Sequence, residues 1–122
     1  MMLSEHFSLA ELCFTQHREF DNTPDAMVLE RLRYTVAGLE RVRRMLGHPI
    51  HVNSGYRSIA LNAAVGGQNN SQHCKGEAAD WICPGYGSPE KVARFLASVW
   101  VDLDGDQLIL EYNSWVHASF RQ

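Results

Sequence analysis

The chain has 122 residues, 45% of them apolar and 20% charged, with a net charge of −3. That is the size and composition of one soluble globular domain, 1–122, whose core needs no disulfide or structural metal. The mild charge and the lack of a Lys/Arg-dense patch exclude a general nucleic-acid binder, and no apolar run approaches the roughly 20 residues that span a bilayer.

Ser8-Leu9-Ala10-Glu11 is a capping box, which predicts a short helix from Leu9 to about Gln16. Thr23-Pro24 reads as an N-cap followed by proline in the first helical turn. From there Val28, Leu32, Val36 (or Thr35), Leu39, Val42 and Leu46 recur at helical spacing up to Gly47, one apolar stripe on a long helix. Arg41, Arg43 and Arg44 are expected on its solvated face. Pro49 to Asn53 predicts a short strand, Ser54 to Ser58 a turn, and Ile59 to Ala64 a short helix capped by Ser58. Val65 to Ser71, rich in Gly and Asn, is loop. Glu77 to Cys83 predicts a strand. Ser88-Pro89 opens a helix to about Trp100, and Asp102 to Gly105 is a turn. Gln107 to Tyr112 and Trp115 to Phe120 form a hairpin around Asn113-Ser114. The sum is an α+β fold, a small, mainly antiparallel sheet with helices packed on it.

The segment Ser71-Gln72-His73-Cys74-Lys75-Gly76-Glu77-Ala78-Ala79-Asp80, with His117 downstream, carries the chemistry. Two imidazoles and a carboxylate suit a catalytic zinc, because three protein ligands leave the fourth tetrahedral position to water. Each residue also has a bland reading. His73 and Asp80 at this spacing can be a surface accident, and a lone His on a half-buried strand is more often a satisfied core residue than a ligand. Asp80, however, sits in the apolar run Ala78 to Ile82 and needs a partner, a metal or Arg57. Alternation puts Trp115, His117 and Ser119 on one strand face. Glu111, two residues before the hairpin turn, is either a solvent-facing strand-end acid or a general base brought back beside His117. Arg57 is a surface charge, or a group that holds a carbonyl or oxyanion. Ser71 is either just a loop hydroxyl or, two residues before His73, a group that reaches a bound substrate. Cys74 is expected to point away from its neighbour His73, as alternate residues do in extended chain. Cys13, Cys74 and Cys83, odd in number and without CxxC spacing, read as reduced thiols.

These residues resemble the M15 family of zinc peptidases, which includes D-alanyl-D-alanine carboxypeptidases and dipeptidases and phage endolysins. The family pattern Ser-x-His-x-x-Gly-x-Ala-x-Asp is filled at every fixed position from Ser71 to Asp80. Ser54-Gly55-Tyr56-Arg57-Ser58, Leu61-Asn62, Val65-Gly66-Gly67 and Trp115-Val116-His117 match further family elements. The opening Leu3 to Leu12 looks like the start of the short, stand-alone phage and prophage members. The resemblance implies an M15/Hedgehog-like fold and a zinc ion on His73, Asp80 and His117. It also implies Arg57 on the substrate carbonyl or oxyanion and Ser71 on the substrate's terminal carboxylate. Many relatives carry a Glu three residues before the last ligand, or a His two before it. Here Ser114 and Trp115 stand there, which leaves Glu111 as the candidate base. The expected activity is zinc-dependent hydrolysis of D-Ala-containing peptidoglycan stem peptides, as carboxypeptidase or endopeptidase, by a monomer with no nucleic-acid or membrane partner. The alternative is a catalytically inactive zinc module that binds wall peptide or a phage partner. Met1 to Phe7 lacks the basic-then-apolar pattern of a signal peptide. The expectation is therefore a cytoplasmic protein that meets the wall after phage lysis or as part of a phage particle.

Overall fold

The computed structural model describes residues 1–122. Helix α1, Leu9–Cys13, begins with the expected capping box: the Ser8 hydroxyl accepts from the Glu11 amide, and the Glu11 carboxylate from the Ser8 amide. It ends before Gln16, at an extended Phe14, and the side chain of Asn22 takes the freed Cys13 carbonyl at 2.9 Å. Helix α2, Ala26–Leu46, buries Val28, Leu32, Thr35, Val36, Leu39, Val42 and Leu46 along one face and closes on Gly47 in the left-handed conformation. Its N-cap is Asp25 rather than Thr23. The Asp25 carboxylate accepts from the Val28 amide at 2.8 Å, so Pro24 precedes the cap instead of filling the first turn. Arg41 also departs from the solvated face. Its guanidinium donates to the Leu103 carbonyl at 3.2 and 3.3 Å and lies 5.6 Å from the Phe120 ring centre.

Strands β1 (His51–Ser54), β2 (Ala78–Ile82), β3 (Gly105–Glu111) and β4 (Trp115–Phe120) form a fully antiparallel sheet in the order β1-β2-β4-β3. Helix α3, Ile59–Ala64, is capped by Ser58, and α4, Pro89–Ala97, by Ser88. The chain leaves α4 before Trp100 because that indole turns inward. It packs 5.4 Å from the Phe120 ring and donates to the Asp106 carbonyl, and a 3₁₀ turn, Val101–Leu103, follows. The hairpin turn lies one residue earlier than the sequence suggests. Tyr112 and Asn113 are its central residues, with φ of 52° and 54°, and the Ser114 amide donates to the Glu111 carbonyl at 2.9 Å. Both positive φ values match the twist of the flanking strands.

The sheet has two different faces. Ala79 and Trp81 of β2 and Val116, Ala118 and Phe120 of β4 join the α2 stripe in the core. The alternate positions, Ala78, Asp80, Trp115, His117 and Ser119, face the other way. An apolar side chain of this size stabilises the fold by about 1.5–3 kcal/mol when fully buried, so the core side fixes the register. Register in turn places Asp80 directly opposite His117.

Candidate metal centre

Asp80 and His117 are cross-strand partners on the two central strands. His73 reaches them from a 3₁₀ turn, Gln72–Lys75. The Ser71 hydroxyl accepts from the His73 amide at one end of that turn. Gly76, at φ 74°, closes the other end, and its carbonyl is held at 2.7 Å by the buried Thr35 hydroxyl of α2. A side chain at Gly76 would need a strained left-handed backbone and would press on Val28. The ligand turn is thereby anchored to the main helix.

Nε2 of His73 lies 3.3 Å and Nδ1 of His117 2.9 Å from Oδ1 of Asp80. The donor atoms of all three side chains fall within 4.8 Å of one another, and His73 and His117 are buried to 2% and 8% exposure. The far side of each ring is also engaged. Nδ1 of His73 lies 2.6 Å from the Gly55 carbonyl, which can only accept, so this nitrogen carries the proton. A neutral His73 therefore presents a bare lone pair on Nε2 to a carboxylate oxygen at 3.3 Å. Two acceptors face each other, and a cation between them removes the conflict. Nε2 of His117 sits 3.2 Å from Oε1 of Gln107, so Nε2–H donates there when Nδ1 turns its lone pair to the shared centre. Burial opposes ionisation of Asp80, but with the imidazoles protonated toward it, hydrogen bonds and positive charge from His117 and His73 outweigh burial and hold the carboxyl at about 2. The acid is a carboxylate throughout the neutral range.

The centre opens on a groove of about 620 Å³ lined by Arg57, Ser71, Glu111, Tyr112 and Trp115 among others. Oε1 of Glu111 is 3.7 Å from Nδ1 of His117, on the metal-facing side of that ring. Arg57 reaches the groove from the turn after β1; its amide donates to the His73 carbonyl, and its buried Nε has no hydrogen-bond partner in the protein. The sequence-predicted residues thus converge. His73, Asp80 and His117 form the cluster, and Glu111, Arg57 and Ser71 line the space in front of it.

A family model described as Peptidase M15 matches residues 5–119. The chain belongs to the peptidase M15 family. The M15 resemblance of its motifs and its α+β architecture therefore agree. It is also similar to the zinc D-Ala-D-Ala carboxypeptidase of Streptomyces albus G, with 47% identity over 47 residues; that stretch is 38% of this chain and 18% of the relative's length.

Within this M15 domain Cys74 stays outside the cluster, as the sequence suggests, but for a different reason. The segment is a 3₁₀ turn rather than extended chain, and the turn carries Cys74 off the His73 side. Burial raises its thiol above the ordinary value, against the lowering pull of Arg57. All three cysteines are free. Two partners of the M15 cluster escape the sequence reading: the Gly55 carbonyl and the Gln107 carboxamide. Gly55 carries no side-chain signal at all. Gln107 is reachable by counting back along the hairpin from Glu111 opposite Trp115, which brings it near Ser119 on the face of His117.

Proposed function

We propose that this M15 member is a zinc peptidase that hydrolyses peptide bonds in D-amino-acid-containing peptidoglycan stem peptides. The observation that carries the metal reading is the His73 lone pair set against the Asp80 carboxylate, with His117 completing the donor set. Two nitrogens and one oxygen of this kind suit zinc and leave a coordination position open. When bound, zinc supplies a Lewis acid and a water whose pKa is lowered toward about 7. The protein groups do the rest. Glu111 takes the proton of the attacking water and returns it to the leaving amine. Arg57, its Nε unengaged within the protein, directs its guanidinium to the carbonyl oxygen and to the charge that develops there. Ser71, at the head of the ligand turn, contacts the substrate's terminal carboxylate. The similarity to a zinc D-Ala-D-Ala carboxypeptidase supports the substrate class.

The alternative, a zinc module that binds wall peptide without cutting it, is disfavoured by the position of Glu111 beside the cluster. The test combines zinc content by elemental analysis with mass spectrometry of peptidoglycan digests. The expected result is about one zinc per chain, lost in His73→Ala, with new peptide termini released by the wild type only. Zinc without release would leave the binding module. No zinc uptake would overturn both.

A further inference from the structure

We propose that Gln107 is a positioning residue that fixes which nitrogen of His117 faces the metal; this rests on the metal-centre reading above. An imidazole in the middle of a sheet has two nitrogens and, when neutral, one proton. The ring can offer its Nδ1 lone pair to the centre only if the proton sits on Nε2, and an acceptor at Nε2 holds it there. Oε1 of Gln107, 3.2 Å away, is that acceptor.

The carboxamide is in turn placed by an irregularity in the hairpin. The β3–β4 register shifts between Gly105 and Leu108, so β3 carries an extra residue there. The Gln107 amide then donates to the Ser119 hydroxyl at 3.1 Å rather than to the β4 backbone. That hydroxyl donates to Oδ2 of Asp106 at 3.0 Å, and the same oxygen accepts from the Gln72 side chain at 3.2 Å. Gln72 is the neighbour of His73 in the ligand turn. The bulge, the ligand turn and the His117 ring are therefore braced through Asp106, Ser119 and Gln107. Because the Gln107 backbone is held by Ser119, its side chain can be changed without loosening the strand.

The experiment measures zinc affinity by competition with a chromophoric chelator for the wild type, Gln107→Leu and Gln107→Glu. The His117 Nε2–H signal is followed in ¹H–¹⁵N spectra of the zinc-loaded proteins. Removing a partner of this kind weakens metal binding by roughly 10- to 100-fold, so that loss is expected for Gln107→Leu, with a faster-exchanging Nε2–H. Gln107→Glu keeps an acceptor at the same reach and should bind zinc within a few-fold of the wild type. Zinc-free melting curves of all three should nearly coincide, since Gln107 lies on the exposed rim. Wild-type affinity and an unchanged Nε2–H in Gln107→Leu would overturn the proposal while leaving the metal centre intact. Equal losses in both variants would assign Gln107 to packing instead. A wild type that takes up no zinc would overturn the metal centre, and the role of Gln107 with it.

Discussion

Glu111 is the acid whose removal should separate binding from turnover. It lies 3.7 Å from Nδ1 of His117, with 30% of its side chain exposed, near the cluster but outside the set of converging donors. Glu111→Gln should therefore retain zinc while peptide hydrolysis falls by roughly 100- to 10,000-fold, the usual span for a general base. Parallel zinc analysis and rate measurement check this; zinc loss in Glu111→Gln would make it a ligand instead. A second titratable group acts on stability. Glu40 accepts from the Ser4 hydroxyl at 2.6 Å and from the His6 amide and ring at 2.8 and 2.7 Å, tying the N-terminal segment to α2. Burial alone would raise its pKa, but these hydrogen bonds from Ser4 and His6 prevail and lower it from 4.5. A carboxyl lowered on folding stabilises the native state fully above its unfolded pKa, and that contribution is lost as pH falls through the folded one. Melting temperatures should thus drop more steeply below about pH 4.5 in the wild type than in Glu40→Gln. Equal slopes would remove Glu40 from the acid response.

Helix α2 and the hairpin place the site, and each has a position where two effects compete. Gly38 sits in the middle of α2, where alanine ordinarily gains up to about 1 kcal/mol. Here a Cβ would come within 2.4 Å of the Phe120 ring, which is 4% exposed and confined by Trp100 and Arg41. Overpacking of that kind costs about 1–3 kcal/mol, so Gly38→Ala should lower the urea midpoint despite the better helix former. At the hairpin tip, Tyr112 is 82% exposed in a positive-φ turn, with its ring 5.3 Å from Trp115 at the groove edge. It lines the groove but stands outside the set of converging donors. Tyr112→Ala should raise KM a few-fold and leave kcat nearly unchanged, and a fall in kcat alone would contradict that placement. These elements also show what the sequence could tell. The α2 stripe, the Ser8, Ser58 and Ser88 caps and the alternation of Trp115, His117 and Ser119 are periodic or local signals, legible without coordinates. The Asp25 cap is ambiguous in residue order, because Thr23-Pro24 presents an equally good local pattern and only the Asp25–Val28 hydrogen bond decides. The β3 bulge, the inward Trp100 and the Gly55 carbonyl depend on tertiary packing and leave no mark in residue order.

At the scale of the whole molecule, the cluster draws its donors from the 3₁₀ ligand turn, β2 and β4, backed by the β1–α3 turn through Gly55 and by β3 through Gln107. These segments are far apart in sequence, so an unfolded chain has no such site. A ligand that binds only the folded state stabilises it by RT ln(1 + [L]/Kd), about 2.7 kcal/mol at a hundredfold excess over Kd. For a domain of this size that is a rise in Tm on the order of 10 °C. Without the ion, the His73 lone pair again meets Asp80 Oδ1, an unfavourable pairing of two acceptors. Zinc addition should therefore raise Tm, and a chelator should reverse the rise, with both effects absent in His73→Ala. Gln107→Leu should fall between them, since it weakens the site without removing a donor. A wild type whose melting curve ignores both zinc and chelator would mean that the cluster is a hydrogen-bonded network of the sheet and no metal centre.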